Sequence, residues 1–330
     1  MPTSVPAVSR VQTVVETELS SAGPLVLAVS GGRDSMVLLD AAARASLIRP
    51  APLIATFDHG TGAAASRAVE LVARECVMRG LACVIGHAAP GLRREAEWRE
   101  ARWEFLREAA ATEGARIATA HTRDDQVETA VIRVLRGAGA RGLAGLYARS
   151  AILRPLLELS RGEVATYAAA RSVSHMEDPS NLSRRHLRNR LRLDLLPAIR
   201  NVDQEFERSM LGIARRATRW REELARVVDR LGVEQLDAGT LRIAAVTLQG
   251  YDAASLRVLW PEVAARAGVT MDRRGTDRAA AFTIDVLASG NGRAAANRSG
   301  VGAGGRGRVI QLSGGAEIQH VSGAFVLRRR

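Results

Sequence analysis

Along the first 160 residues, short apolar runs alternate with longer stretches whose apolar positions recur every three or four residues. The runs are LVLAVS (25–30), LIATFD (53–58), LACVIG (81–86), RIATAH (116–121) and AILRPL (151–156). Each has the length of a strand. The helical spacing falls at 35–46, 66–79, 95–113 and 123–136. Strands separated by helices predict βαβ units and a parallel sheet flanked by helices. Ligands of such sheets bind beyond the carboxyl ends of the strands. That points to Ser30–Ser35, Asp58–Gly60 and His121–Glu128.

Beyond residue 150 the pattern changes. A helical segment at 160–171 precedes MEDPSNLSRRHLRNRLRLDLLPAIR (176–200). Pro179 and Asn181 predict a turn, then a basic helix ending at Pro197. An Arg/Glu-rich linker helix is expected over 203–231, with further helices at 252–267 and 276–288. The Gly, Ala and Arg stretch at 290–308 predicts a flexible loop. The alternation at 309–329 predicts two or three short strands. The expected division is an α/β domain at 1–200 and a smaller helical and α+β domain at 201–330. The first 23 residues read as an amphipathic helix.

Composition narrows the function. Hydrophobic residues make up 47% of the chain but aromatic ones only 4%, so aliphatic side chains and alanine must fill the core. No apolar stretch approaches the roughly 20 residues that span a bilayer, and no signal-peptide pattern opens the chain. The expectation is a cytoplasmic protein with no membrane partner. The formal net charge is +12, and all 47 basic residues are arginine. Such an excess predicts a polyanionic partner, nucleic acid above all. Cys76 and Cys83 form no CxxC pair and no disulfide framework.

Two stretches carry chemistry. In SGGRDS (30–35), Gly31 and Gly32 let the chain turn tightly after a buried strand. A helix start there makes an anion site, to which Ser30 and Ser35 add hydroxyl donors. Asp34 repels phosphate unless a cation intervenes, so a Mg²⁺ shared between Asp34 and phosphates is expected. In AHTRDDQVET (120–129), Asp125 and Glu128 share a helix face, with His121 just before it. Two carboxylates and an imidazole suit a cation, a protonated amine or proton transfer.

These strings resemble known patterns. SGGxDS after a buried strand resembles the PP-loop of the N-type ATP pyrophosphatases, whose fold is adenine nucleotide alpha hydrolase-like. The segment HTRDDQVET, with RGAG and GL after it, resembles the signature of the tRNA(Ile)-lysidine synthetases. So do DHG (58–60), REARW (99–103), RPLL (154–157) with Arg161, EDPSN (177–181) and RNRLR (188–192). The resemblance covers about residues 25–200. The chain departs from it at HGTGAAASR (59–67) and at Trp98 and Trp103, and the third domain that many family members carry is not expected in it.

The resemblance implies that ATP is split into AMP and pyrophosphate. Ser30, Gly31, Gly32, Arg33, Asp34 and Ser35 would hold its phosphates. C2 of the wobble cytidine of a CAU-anticodon tRNA(Ile) would be adenylated, and free L-lysine would displace AMP. Asp125 and Glu128 carry over to lysine recognition. Arg102, or else Arg99, carries over as the cation near the reacting centre, with pairing of Arg102 to Glu128 as its plain structural alternative. His121 or a carboxylate would take the lysine proton. Arg185, Arg188 and Arg192, spaced i, i+3, i+7, are expected to present guanidinium groups to tRNA phosphates, with Asn189 among them. The family allows a homodimer. The competing expectations are a PP-loop tRNA 2-thiolation enzyme and a non-catalytic tRNA-binding relative.

Overall fold

The computed structural model describes residues 4–92, 94–177, 183–296, 308–312 and 315–330. The chain divides into two compact units, Met1–Thr218 and Arg219–Arg330.

The first unit is built on four parallel strands: β1 (Leu25–Ala28), β2 (Leu53–Asp58), β3 (Cys83–His87) and β4 (Arg116–Thr119), in the order β3-β2-β1-β4. Helices α1 (Ser4–Ser20), α2 (Arg33–Arg44), α3 (Ala63–Arg79), α4 (Glu95–Thr112) and α5 (Arg123–Leu135) surround or connect them. After α5 come α6 (Ala140–Leu143), α7 (Arg161–Ala170), α8 (Leu187–Arg190), a π turn (Leu191–Leu195) and α9 (Leu196–Val202). Strand alternation divides the core. Leu25, Leu27 and Ile54 join Val11, Val15, Leu38 and Tyr167 on one face. Val26, Ala55 and Ile117 join Leu106 and Ala110 of α4 on the other.

Two expectations change, and one falls on residues outside those described. The fifth strand at 151–156 is reduced to one parallel bridge, Ala118 to Leu153; Pro155 carries no backbone N–H to extend a ladder. The basic helix does not end at Pro197. That residue sits in the first turn of α9 and is tolerated there, so the helical path runs on to Val202. Of the predicted turn at EDPSN (177–181), residues 178–181 lie outside the described residues.

The long helix α10 (Phe206–Arg230) crosses from one unit into the next. The second unit continues with β5 (Glu234–Asp237), β6 (Thr240–Ala244), α11 (Ala253–Arg266), α12 (Arg273–Ala296), β7 (Arg308–Leu312), β8 (Ala316–Val321) and β9 (Ala324–Arg329). Its strands pair antiparallel in the order β5-β6-β9-β8-β7. Trp260 and Phe282 meet Phe325 edge-on, and Trp260 donates its indole N–H to Thr283 Oγ1 at 2.9 Å. Three strands answer the predicted tail, while β5 and β6 were not expected. The first seven residues of the predicted loop 290–308 continue α12, and Arg308 opens β7. Residues 297–307 of that loop lie outside the described residues.

Candidate active site

The glycine-rich turn joins β1 to α2. Gly31 has φ +79°, and a Cβ there would come within 2.9 Å of Ala68 Cβ and its carbonyl oxygen. Only glycine meets both demands. Ser35 Oγ donates to Gly32 O at 2.8 Å and accepts from Ser30 N at 3.2 Å. Ser30 Oγ lies 3.3 Å from the same hydroxyl. The two serines thus close the turn where α2 begins, and a helix start leaves backbone N–H groups for an anion. Asp34 Oδ1 lies 3.4 Å from Arg33 Nε, and Oδ2 lies 3.8 Å from Arg161 Nε. Burial raises its carboxyl pKa, while Arg33 and Arg161 oppose the rise. On β2, Asp58 serves its own turn by accepting from Gly60 N at 2.8 Å and Ser66 Oγ at 3.0 Å.

The acid pair opens α5. Thr122 donates its N–H and its hydroxyl to Asp125 Oδ2, both at 2.8 Å, as a capping box. Asp125 Oδ1 accepts from Arg161 Nη2 at 2.7 Å and Arg188 Nη2 at 3.2 Å. Glu128, one turn on, has no exposed side-chain surface. Its Oε1 accepts from Arg161 Nη1 at 2.7 Å and Arg192 Nε at 2.8 Å. Its Oε2 accepts from Arg188 Nε at 2.7 Å and Arg192 Nη2 at 3.1 Å. Burial disfavours the Glu128 carboxylate. Hydrogen bonds from Arg192, Arg161 and Arg188 nevertheless hold its pKa at about 2.

The arginine stripe therefore differs from its expected form. Arg188 and Arg192 turn inward to the acids, and only Arg185 is exposed. The cause is local: Arg185 precedes the first residue of α8, so it does not share the face of Arg188 and Arg192. Asn189 also works within the protein, donating Nδ2 to Ser183 O at 2.8 Å.

His121 lies just past the end of β4, its Nδ1 2.8 Å from Thr119 Oγ1. Burial lowers its pKa to about 4; Asp125 pulls it up, and Arg154, Arg188 and Arg102 push it further down. The imidazole is neutral at pH 7. Arg102 does not pair with Glu128, whose partners are the three arginines already named. Its Nε is buried without an acceptor, and its guanidinium carbon lies 5.9 Å from the Trp103 ring centroid.

Three residues had no role in the sequence reading. Arg161 links both acids to the PP-loop side. Gln126, fully buried, donates to Ala144 O at 3.2 Å and accepts from Leu146 N at 2.6 Å. It thereby holds the Gly145 turn, where φ is +60° and any Cβ would strike the Gln126 amide. Arg154 is the third. No spacing rule links positions this far apart in the chain, although Arg161 and RPLL stood among the matched blocks.

A glycine-rich turn after β1 and an acid pair after β4 occupy the carboxyl edge of a parallel sheet. The family described as the PP-loop domain matches residues 4–199. A tRNA(Ile)-lysidine synthase from Rhodopseudomonas palustris is 39% identical over 240 residues, 67% of this chain and 68% of that protein. One from Methylobacterium nodulans is 34% identical over 266 residues, 75% of this chain and 76% of that one. The chain belongs to the PP-loop, tRNA(Ile)-lysidine synthase family. A further relative of that description, from Salinispora arenicola, is 40% identical over 207 residues. The chain spans 62% of that relative's length. Among solved structures, a U34-tRNA thiolase from Methanococcus maripaludis shares the fold, with a TM-score of 0.54 at 15% identity. That match covers 64% of this chain and 79% of the thiolase.

Proposed function

We propose that this protein is a tRNA(Ile)-lysidine synthetase. It adenylates the carbonyl oxygen on C2 of the wobble cytidine in a CAU-anticodon tRNA(Ile), releasing pyrophosphate. The side-chain amine of free L-lysine then attacks C2, a C–N bond forms, and AMP leaves. The observation that carries the reading is the acid pair Asp125 and Glu128 beside the SGGRDS turn on one sheet edge.

The geometry supports the following roles. Ser30–Ser35 cradle the phosphates of ATP with hydroxyls and backbone N–H groups. Among the described residues the cations nearest the Asp34 carboxylate are Arg33 Nε at 3.4 Å and Arg161 Nε at 3.8 Å. Asp34 is the group we assign to hold Mg²⁺, which takes one or two carboxylates together with substrate phosphates and would neutralise their charge. Asp125 and Glu128 receive lysine. Both are already engaged, so an incoming ammonium must displace a guanidinium. Lysine also brings an α-carboxylate, which offers the displaced guanidinium a new partner and keeps the exchange balanced in charge. The oxygens of Glu128 are taken up by Arg161, Arg188 and Arg192. Neutral His121, beside the acid pair, is the group we assign to accept the proton as the amine attacks.

The second unit and the exposed Arg185 supply further tRNA contacts in this proposal, and the protein acts in the cytoplasm. A homodimer is part of the proposal as well. The sulfur-transfer alternative fits less well. The chain has two cysteines, too few for a cluster held by four thiolates. Cys76 of α3 lies in the packed core and the half-buried Cys83 of β3 packs against it.

Purified protein, ATP, Mg²⁺, labelled lysine and a tRNA(Ile) transcript with a CAU anticodon test the reading. Lysine enters the tRNA with one AMP released per lysine. Release of AMP that needs the tRNA but ignores lysine refutes it.

A further inference from the structure

Arg102 and Arg154 differ from the other arginines of the site. Arg161, Arg188 and Arg192 each meet a carboxylate within 2.8 Å. Among the described residues neither Arg102 nor Arg154 forms an ion pair, and each has a buried Nε with no acceptor.

Their positions are well defined. Leu153 N donates to Ile117 O at 2.8 Å, and Leu153 O accepts from Thr119 N at 2.9 Å. Arg154 is therefore pinned beside the carboxyl end of β4, next to the strand that delivers His121. Its Nη1 donates to Ser150 Oγ at 2.9 Å and lies 3.4 Å from the carbonyl oxygens of Leu146 and Ile152. One edge of the guanidinium is fixed by the loop and its charge is left unmatched. Arg102 stands one helical turn before Leu106, which packs on the sheet. It faces the sheet from the first half of α4, at the end where the strands finish. Both charges act on His121.

A buried guanidinium without a counter-charge is costly. Burial lowers the pKa of both groups. Two such cations beside one imidazole are arranged for an anion with more than one acceptor oxygen, and arginine forks fit phosphate.

We infer that Arg154 and Arg102 form a phosphate-binding site beside His121, filled by a backbone phosphodiester of the RNA acceptor. This rests on the proposed RNA substrate. A phosphate of ATP has the same chemistry. The phosphates of ATP already have the SGGRDS turn, with its Ser30 and Ser35 hydroxyls and the start of α2, which favours the RNA source.

Arg154→Gln and Arg154→Lys are titrated with an RNA hairpin carrying the CAU anticodon, over a range of salt, and separately with ATP. Arg154→Gln should weaken hairpin binding about 10-fold, as loss of a charge-assisted hydrogen bond does. It should also lower the slope of log Kd against log salt by about 1. Arg154→Lys should restore the slope. A merely structural role for Arg154 would leave the slope unchanged. ATP affinity should stay within twofold. A loss confined to ATP would keep the phosphate site and assign it to the nucleotide. Unchanged affinity and slope for both ligands would overturn the inference. Should Arg154→Gln melt early through its loop contacts, Arg102→Gln carries the same test. Should the native protein bind no hairpin, the RNA substrate fails and the ATP titration alone decides the site. Hairpin binding without lysine transfer would count against the lysine reading and leave this site standing.

Discussion

Asp40 and Glu128 are both carboxylates of the first unit with at most 1% of the side chain exposed, and both are held by more than one arginine. Asp40 accepts from Arg44 Nε at 2.8 Å, Arg79 Nη2 at 2.9 Å and Tyr167 Oη at 3.0 Å. Arg79 also pairs with Glu75. Two acids meet two arginines, and the group lies between α1, α2, α3 and α7, away from the strand ends. Around Glu128, Arg161, Arg188 and Arg192 bridge it to Asp125, and Arg161 reaches on to Asp34 of the PP-loop. Buried charge alone does not separate the two groups. Position at the sheet edge, beside the PP-loop and His121, does.

The largest expected effect breaks the comparison on the functional side. Glu128→Gln keeps the shape and removes the charge that ammonium recognition needs. The kcat/KM for lysine should fall about 1000-fold, equivalent to roughly 4 kcal/mol, while hairpin RNA binding changes less than threefold. Asp125→Asn should act in the same direction. Equal losses in lysine use and RNA binding would refute the pocket.

Asp40→Asn is the matching test on the structural side. Breaking a buried ion pair costs about 3 kcal/mol or more, so urea unfolding should show a loss of that order. The KM for lysine should stay within twofold. A change in KM without a change in stability would make Asp40 part of the site.

How much of this was legible in the sequence follows from range. The SGGRDS turn announces itself because the apolar run, the glycines and the helix start are neighbours. Asp125 and Glu128 share a face by helical spacing alone. The inward turn of Arg188 and Arg192 was not legible: a helical stripe states which residues go together and not what they face. Arg161 and Arg154 act across distances that spacing does not encode. In the second unit, β5 reads EQLD and every residue of it is exposed. With no apolar alternation, nothing in that stretch predicted a strand.

Protonation sharpens the contrast next. His121 has a folded pKa of about 4 against an ordinary value of 6.5. Between those values the unfolded chain binds the proton and the folded one does not. Stability is therefore full above pH 6.5 and is lost as pH falls toward 4, by up to about 3 kcal/mol. Glu128, held at about 2 against 4.5, adds a second loss below pH 4.5 by the same linkage. His121→Gln should remove the upper window and leave the lower one in urea unfolding measured from pH 7 to 2. An unchanged upper window would mean that another group carries it.

The smallest expected effect concerns Arg185. It is exposed, precedes α8, and forms no ion pair among the described residues. Arg185→Gln should therefore change unfolding free energy by less than about 0.5 kcal/mol. Arg188→Gln should cost more, because it strips two hydrogen bonds from the buried acid pair. For RNA the order reverses. Arg188 is bound to Glu128 and Asp125, whereas Arg185 is open to a phosphate. Arg185→Gln should weaken hairpin binding a few-fold and lower the salt slope by about 1, and Arg188→Gln should leave that slope unchanged. An equal drop in slope for both variants would mean that RNA draws Arg188 away from the acids. The guanidinium cage would then open on RNA binding and expose the carboxylates for lysine.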